Sequence, residues 1–329
     1  MIVDREWVIG LPKAENHVHL EGCVDPLVLA QAAERSGGTV MPGPAHNLDE
    51  LLEMNDHNCS LLTTADELSE AAFVRAATAS ALGIRYTDLI INPSHWPVWF
   101  DRLDQMLEAL DAGFNRFEED GHIRTGLLLS IGRHVDAATA VGIVDAVIRS
   151  TIPRVVGISI DGNESAPGAG LERFLPAVTA AKEHGLYVAI HTGESGGTDA
   201  IWPNLTLLAP DRIDHGVRSI DDPDLVAELA RLGTTLCICP TSNLVLGIVP
   251  DLASHPIAAL RSAGVSVSLN TDDPLVFGTD LPREYLIAAE AFDWTTQDLV
   301  GLARTSIETS AAPIELKATL LAELDAYPI

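Results

Sequence analysis

The strongest constraint on this chain is a cadence: short β-rich runs alternate with longer helical patterns, eight times over. The runs fall at 14–20 (AENHVHL), 84–92 (IRYTDLIIN), 123–131 (IRTGLLLSI), 154–161 (RVVGISID), 186–192 (LYVAIHT), 212–216 (RIDHG), 234–240 (TTLCICP) and 265–271 (VSVSLNT). Helical patterns between them include Asp25–Ser36, Thr64–Leu82, Asp136–Arg149 and Asp224–Leu232. Two of these have readable starts. Asp25 followed by Pro26 reads as an N-cap with proline at the first helical position. Thr64 through Glu67 reads as a capping box, and Gly83 lies just past that helix's end. Strands separated by helices must pair in parallel through crossovers. Eight such units in 329 residues predict an α/β fold, a (β/α)8 TIM barrel rather than a doubly wound sheet, with one domain over residues 1–329. Residues 37–63 break the cadence. Their Gly and Pro, then a short apolar helix-like stretch, read as a helical insertion after the first strand and helix, over the barrel mouth.

Composition narrows the function classes. Apolar residues make up 47% of the chain, enough for a large core. A net charge of −27 repels phosphate backbones and anionic lipid, so neither nucleic acid nor membrane is expected as a partner. No leader pattern and no apolar run of about eighteen residues is visible, and a cytoplasmic home is expected. The four cysteines, Cys23, Cys59, Cys237 and Cys239, are too few and scattered for a disulfide framework. Cys237 and Cys239 lack the spacing of a CxxC motif and read as small buried side chains.

The polar residues at the run ends carry the chemistry. His17 and His19 close the first run, and i, i+2 positions in a strand share a face. Asp161 and Gly162 end the fourth run, His191 and Glu194 the fifth, His215 the sixth, and Asp272 and Asp273 follow the eighth. Barrel enzymes place their chemistry at these C-terminal strand ends. Each piece alone has an ordinary reading. A lone histidine can be a hydrogen-bonded core residue, and Asp273–Pro274 can be a helix cap. The glycine-rich turn Ser195–Thr198 lacks the P-loop lysine pattern. Together, three imidazoles and a carboxylate suit Zn²⁺, with a spare Glu and His as acid–base partners for a metal-activated water. The site's composition points to metal-assisted hydrolysis.

At these residues the sequence resembles the adenosine deaminase family of the metal-dependent hydrolase superfamily. The segments that carry the likeness are LPKAENHVHLEG, GISIDGNE, HTGES, DRIDHGVRSIDDPDL, CPTSN and SLNTDDPLVFGTDLPREY, in that order along the chain. The resemblance implies a (β/α)8 barrel with one zinc per chain, held by His17, His19, His191 and Asp272. It implies that Glu194 protonates purine N1, that His215 with Asp272 orients and deprotonates the attacking water, that Asp273 meets N7, and that the Gly162 N–H faces N3. His19 and Glu21 would complete the substrate-binding set. The implied reaction is hydrolytic deamination of a small-molecule 6-aminopurine, with adenosine or 2′-deoxyadenosine first. Adenine, or a modified aminopurine such as 6-aminodeoxyfutalosine or an N6-substituted adenine, is the alternative. The departures concern the sugar. Thr192 stands where the family usually has Ala, Glu21 where an Asp contacts the ribose 5′-hydroxyl, and DGNES where AGDE is more usual. HLEG and RIDHGVR resemble the branch that takes the free base.

Overall fold

The computed structural model describes residues 3–118, 123–166, 168 and 170–328. Eight strands run β1 Lys13–His19, β2 Ile84–Ile91, β3 Arg124–Gly132, β4 Val155–Asp161, β5 Tyr187–Thr192, β6 Arg212–His215, β7 Thr235–Ile238 and β8 Val267–Leu269. Each pairs in parallel with the next, in the order β1 to β8. Helices flank the strands, giving the expected TIM-barrel architecture. The seam between β8 and β1 closes above β8. There the His19 N–H donates to the Asp272 carbonyl at 2.9 Å, and the Asp272 N–H to the His17 carbonyl at 3.1 Å. Closing this seam brings the two ends of the sequence to one site.

Local sequence explains the helix starts. Helix Pro26–Ser36 is capped by Asp25, and Ala65–Ala81 by the Thr64/Glu67 box. The helix expected from Asp224 begins one residue earlier, at Pro223, because the Asp222 side chain takes the Asp224 and Leu225 N–H groups. Leu48–Cys59 forms a further helix between β1 and β2, capped by Asn47. Two apolar clusters pack the strands against the helices. One contains Leu68, Phe114, Leu127 and Val188, the other Leu229, Leu236, Leu269 and Leu302. Among the described residues no helix is long and apolar enough to cross a membrane.

Candidate active site

The histidines converge because three strands deliver them to one rim. His17 and His19 come from β1, His191 from β5, and His215 from the last position of β6. Asp272 follows β8. His215 and Asp272 hold positive φ, 69° and 64°. This left-handed backbone is uncommon for residues other than glycine and concentrates at functional sites.

Ligand atoms of His17, His191, His215 and Asp272 lie within 4.8 Å of one another, and Asp272 also groups with His19 and Asp273. His19 Nε2 lies 3.0 Å from His191 Nε2. Asp272 Oδ1 is 3.3 Å from His17 Nε2 and 3.4 Å from His19 Nε2. His17 Nδ1 donates to the Cys237 carbonyl, and His191 Nδ1 to the Ile160 carbonyl, each at 3.1 Å. Those bonds leave the Nε2 lone pairs facing the cluster, as metal-binding histidines require. His17 Nε2 is buried with no hydrogen-bond partner. Burial disfavours charge on His17, yet Asp214 and Asp272 outweigh it and lift its imidazole to about 9. The cluster therefore draws a positive charge to its centre. An orphaned imidazole nitrogen, two facing Nε2 atoms and a carboxylate fit a bound metal cation.

Glu194 sits on the turn after β5. Its Oε1 is buried without a hydrogen bond, 3.5 Å from His215 Nε2. Burial, then the charges of Asp272 and Glu164, push its carboxyl up to about 8. Burial and His17 hold the His215 imidazole down to about 3, so it is neutral. Asp273 is the N-cap of Pro274–Phe277 but makes no side-chain cap bond. Its Oδ1 instead accepts from Asn55 Nδ2 at 3.3 Å, and burial with Asp272 and Glu21 raises it well above the usual carboxylate range. Gly22 is fixed by this neighbour: a Cβ there would lie 2.3 Å from Asp273 Cβ.

These groups share a narrow cavity of about 40 Å³, lined by His19, Asp161, Gly162, Glu194, His215 and Asp273 among others. Leu48, Leu51, Leu52 and Asn55 of helix Leu48–Cys59 also line it. Glu21 does not. Its Oε1 accepts from Trp96 Nε1 at 2.6 Å and the Asn92 N–H at 2.9 Å, while its Oε2 is buried without a hydrogen-bond partner among the described residues. The aromatics after β2 are structural: Trp96 is fully buried, and Trp99 donates to the Leu62 carbonyl. The four cysteines are buried and free.

Sequence reasoning missed Glu164, His95 and the pocket role of Asp161. The Glu164 carboxylate accepts the N–H groups of Gly193, Glu194 and Gly196 at 2.9, 3.1 and 2.8 Å. The glycine-rich turn is thus an anion nest filled by the protein's own carboxylate, and it holds Glu194 in place. His95 lines the cavity and donates from Nδ1 to Asp56 Oδ1 at 2.6 Å, tying the loop after β2 to helix Leu48–Cys59. The DGNES and NPSHWP segments contained these residues, but nothing in their spacing revealed which backbone groups they would meet.

A parallel barrel carrying histidines, a carboxylate and an orphaned acid at its C-terminal rim defines a hydrolase of the metal-dependent type. Comparison with known proteins narrows the class. The sequence model of the adenosine deaminase family matches residues 12–327, and the chain belongs to that family. Adenine deaminase of Rhizobium leguminosarum bv. trifolii (strain WSM2304) is 32% identical over 322 residues, covering 96% of this chain and 99% of its own. The solved adenine deaminase of Arthrobacter aurescens superposes with a TM-score of 0.89 at 28% identity, over 96% of this chain and 98% of that one. An amidohydrolase from Burkholderia ambifaria, solved with bound Zn, gives a TM-score of 0.87 at 26% identity, over 99% and 93%.

Proposed function

We propose that the protein is a zinc-dependent adenine deaminase, converting adenine and water to the 6-oxopurine and ammonia. The observation that carries the reaction is Glu194, a buried carboxyl beside a metal-type cluster whose proton is retained to about pH 8. The free base comes ahead of the nucleoside because the curated relative and the solved neighbour are both named adenine deaminases. This reverses the order read from the sequence, which put adenosine first. Glu21, the expected ribose contact, is not among the cavity-lining residues, and one of its oxygens is held by Trp96 and Asn92.

His17, His19, His191 and Asp272 would hold zinc. Zinc, when bound, supplies Lewis-acid activation of a water at neutral pH. Glu194 donates its proton to purine N1, which makes C6 electrophilic. Neutral His215, beside Asp272, orients the attacking water and takes its proton. Asp273, held protonated by burial and its acidic neighbours, donates to N7. The Gly162 N–H faces N3. Water oxygen adds to C6 as His215 takes one of its protons and passes it to the amino nitrogen. Ammonia leaves as the C6–N6 bond breaks, and the remaining hydroxyl proton returns to Glu194 as the 6-oxo group forms.

The test is ammonia release from adenine, adenosine, 2′-deoxyadenosine, AMP and N6-methyladenine, with a chelated sample as control. Adenine is expected to turn over fastest, and chelation to stop it. Preference for a nucleoside or nucleotide, or turnover indifferent to chelation, would overturn the proposal.

A further inference from the structure

Free adenine and its nucleosides differ at N9. The base carries an N–H there, and the nucleoside a sugar. An enzyme selecting the base gains from a fixed acceptor opposite that N–H, because a buried acceptor left unpaired penalises any ligand lacking the donor. The structure holds one such acceptor on the relevant edge.

Asp161 ends β4, lines the cavity and is 5% exposed. Its two oxygens differ. Oδ1 accepts from Asn92 Nδ2 at 2.7 Å. The Asn92 amide is itself oriented, since its Oδ1 accepts from the Ser94 N–H at 3.0 Å. Oδ2 takes no hydrogen bond from the described residues, and His19 Nδ1 lies 3.9 Å away. One oxygen is thus anchored and the other remains available at the cavity wall. With N1 at Glu194 and N7 at Asp273, the N3–N9 edge faces the remaining polar wall, formed by Asp161, Gly162 and His95. Gly162 offers an N–H donor. His95 donates to Asp56, and its imidazole is held protonated more readily than usual by Asp56, Glu21 and Asp161 despite burial. Of the three, Asp161 brings the side-chain acceptor. It also falls in DGNES, the segment that departs from the nucleoside-type pattern.

We infer that Asp161 is a specificity-determining residue whose Oδ2 accepts the N9–H of the free base, with Asn92 fixing its orientation. This rests on the adenine deaminase reading and adds the group that enforces it.

The test uses the zinc-loaded enzyme and two flat substrates of nearly equal shape, adenine and 7-aminooxazolo[5,4-d]pyrimidine, in which ring oxygen replaces N9–H. The wild type is expected to favour adenine by about 10–100-fold in kcat/KM, the range of a hydrogen bond to a charged group. Asp161→Asn, whose amide can donate to ring oxygen, is expected to lose most of that preference, chiefly through KM for adenine, with zinc content and melting temperature unchanged. A wild type accepting both substrates equally would overturn the inference without any variant, so a misfolded variant does not shelter it. So would an Asp161→Asn enzyme that keeps the wild-type preference. If adenine turns over and either result follows, only this inference falls; if the wild type leaves adenine untouched, both readings fall.

Discussion

Two sets of buried charges occupy one barrel and differ in how they are satisfied. Toward the N-terminal ends of the strands, Arg212 donates to Asp214 at 2.9 Å, to Asp88 at 2.5 Å and to the Asn16 carbonyl. Lys13 donates to the carbonyls of Val8, Leu11 and Leu82. Both cations are fully buried, and every charged end has partners. At the C-terminal rim the reverse holds. His17 Nε2 and Glu194 Oε1 are buried and unpartnered. Burying a polar group without a partner costs stability, so a fold tolerates it where a bound group completes the site. In these two sets the paired charges brace the scaffold and the unpaired atoms lie in the candidate site. Elsewhere, Glu118 Oε1 and Arg75 Nε are also buried without hydrogen-bond partners among the described residues. Asp214 stands at the boundary, bonded to Arg212 below and 3.7 Å from His191 Nδ1 above.

The contrast can be broken at either end. Asp272→Ala should have the largest effect, abolishing both metal content and turnover; normal metal by elemental analysis would remove Asp272 from the ligand set. Glu194→Gln should follow, losing about 10²–10⁴-fold in kcat while keeping its metal. Metal loss with a near-normal rate in the loaded fraction would assign Glu194 to the metal instead. Arg212→Met strands Asp88 and Asp214 and should cost about 3–5 kcal/mol in denaturant unfolding. Turnover per metal-loaded folded molecule should change far less than in Glu194→Gln, and an equal loss would erase the distinction drawn here.

Smaller effects sharpen the comparison. Burial lifts the Glu284 carboxyl from 4.5 to about 7, against the hydrogen bonds from Thr241 and Thr279 that favour its charged form. The folded state binds this proton more tightly than the unfolded state. Its contribution is fully present below about pH 4.5 and is lost as pH rises through about 7. The slope is at most about 1.4 kcal/mol per pH unit. Glu284→Gln should flatten that part of the stability profile; an unchanged slope would assign it to other groups. The exposed Arg218–Asp221 pair should matter least, about 0.2–1 kcal/mol by double-mutant cycle, and less in high salt.

The barrel was legible because each strand is a short β-rich run bounded by helix signals. All eight expected runs hold a strand, though the run at 265–271 contains only Val267–Leu269. The ladder stops there because the chain soon turns through Asp272 at positive φ to join β1. The convergence of His17, His19, His191, His215 and Asp272 at the rim was legible because His and Asp are unusual at strand ends. Asp273 was ambiguous, since an Asp–Pro pair opens a helix whether or not its carboxylate caps it. Glu164 was not legible. Besides Arg133, its partners are three backbone N–H groups about thirty positions away, and such groups leave no trace in residue type. The orientation of Glu21 was hidden for a similar reason, because Trp96 and the Asn92 backbone decide it.

The seam between the first and last strands also sets the order in which the histidine–carboxylate cluster can assemble. The Asn16 N–H is held by the Asn270 side chain across 254 positions of sequence, and His17 and His19 meet Asp272 only when that join is made. A chain still on the ribosome has most of its barrel but no Asp272 beside its first histidines. Until that join is made, the first histidines lack the carboxylate they meet in the folded barrel.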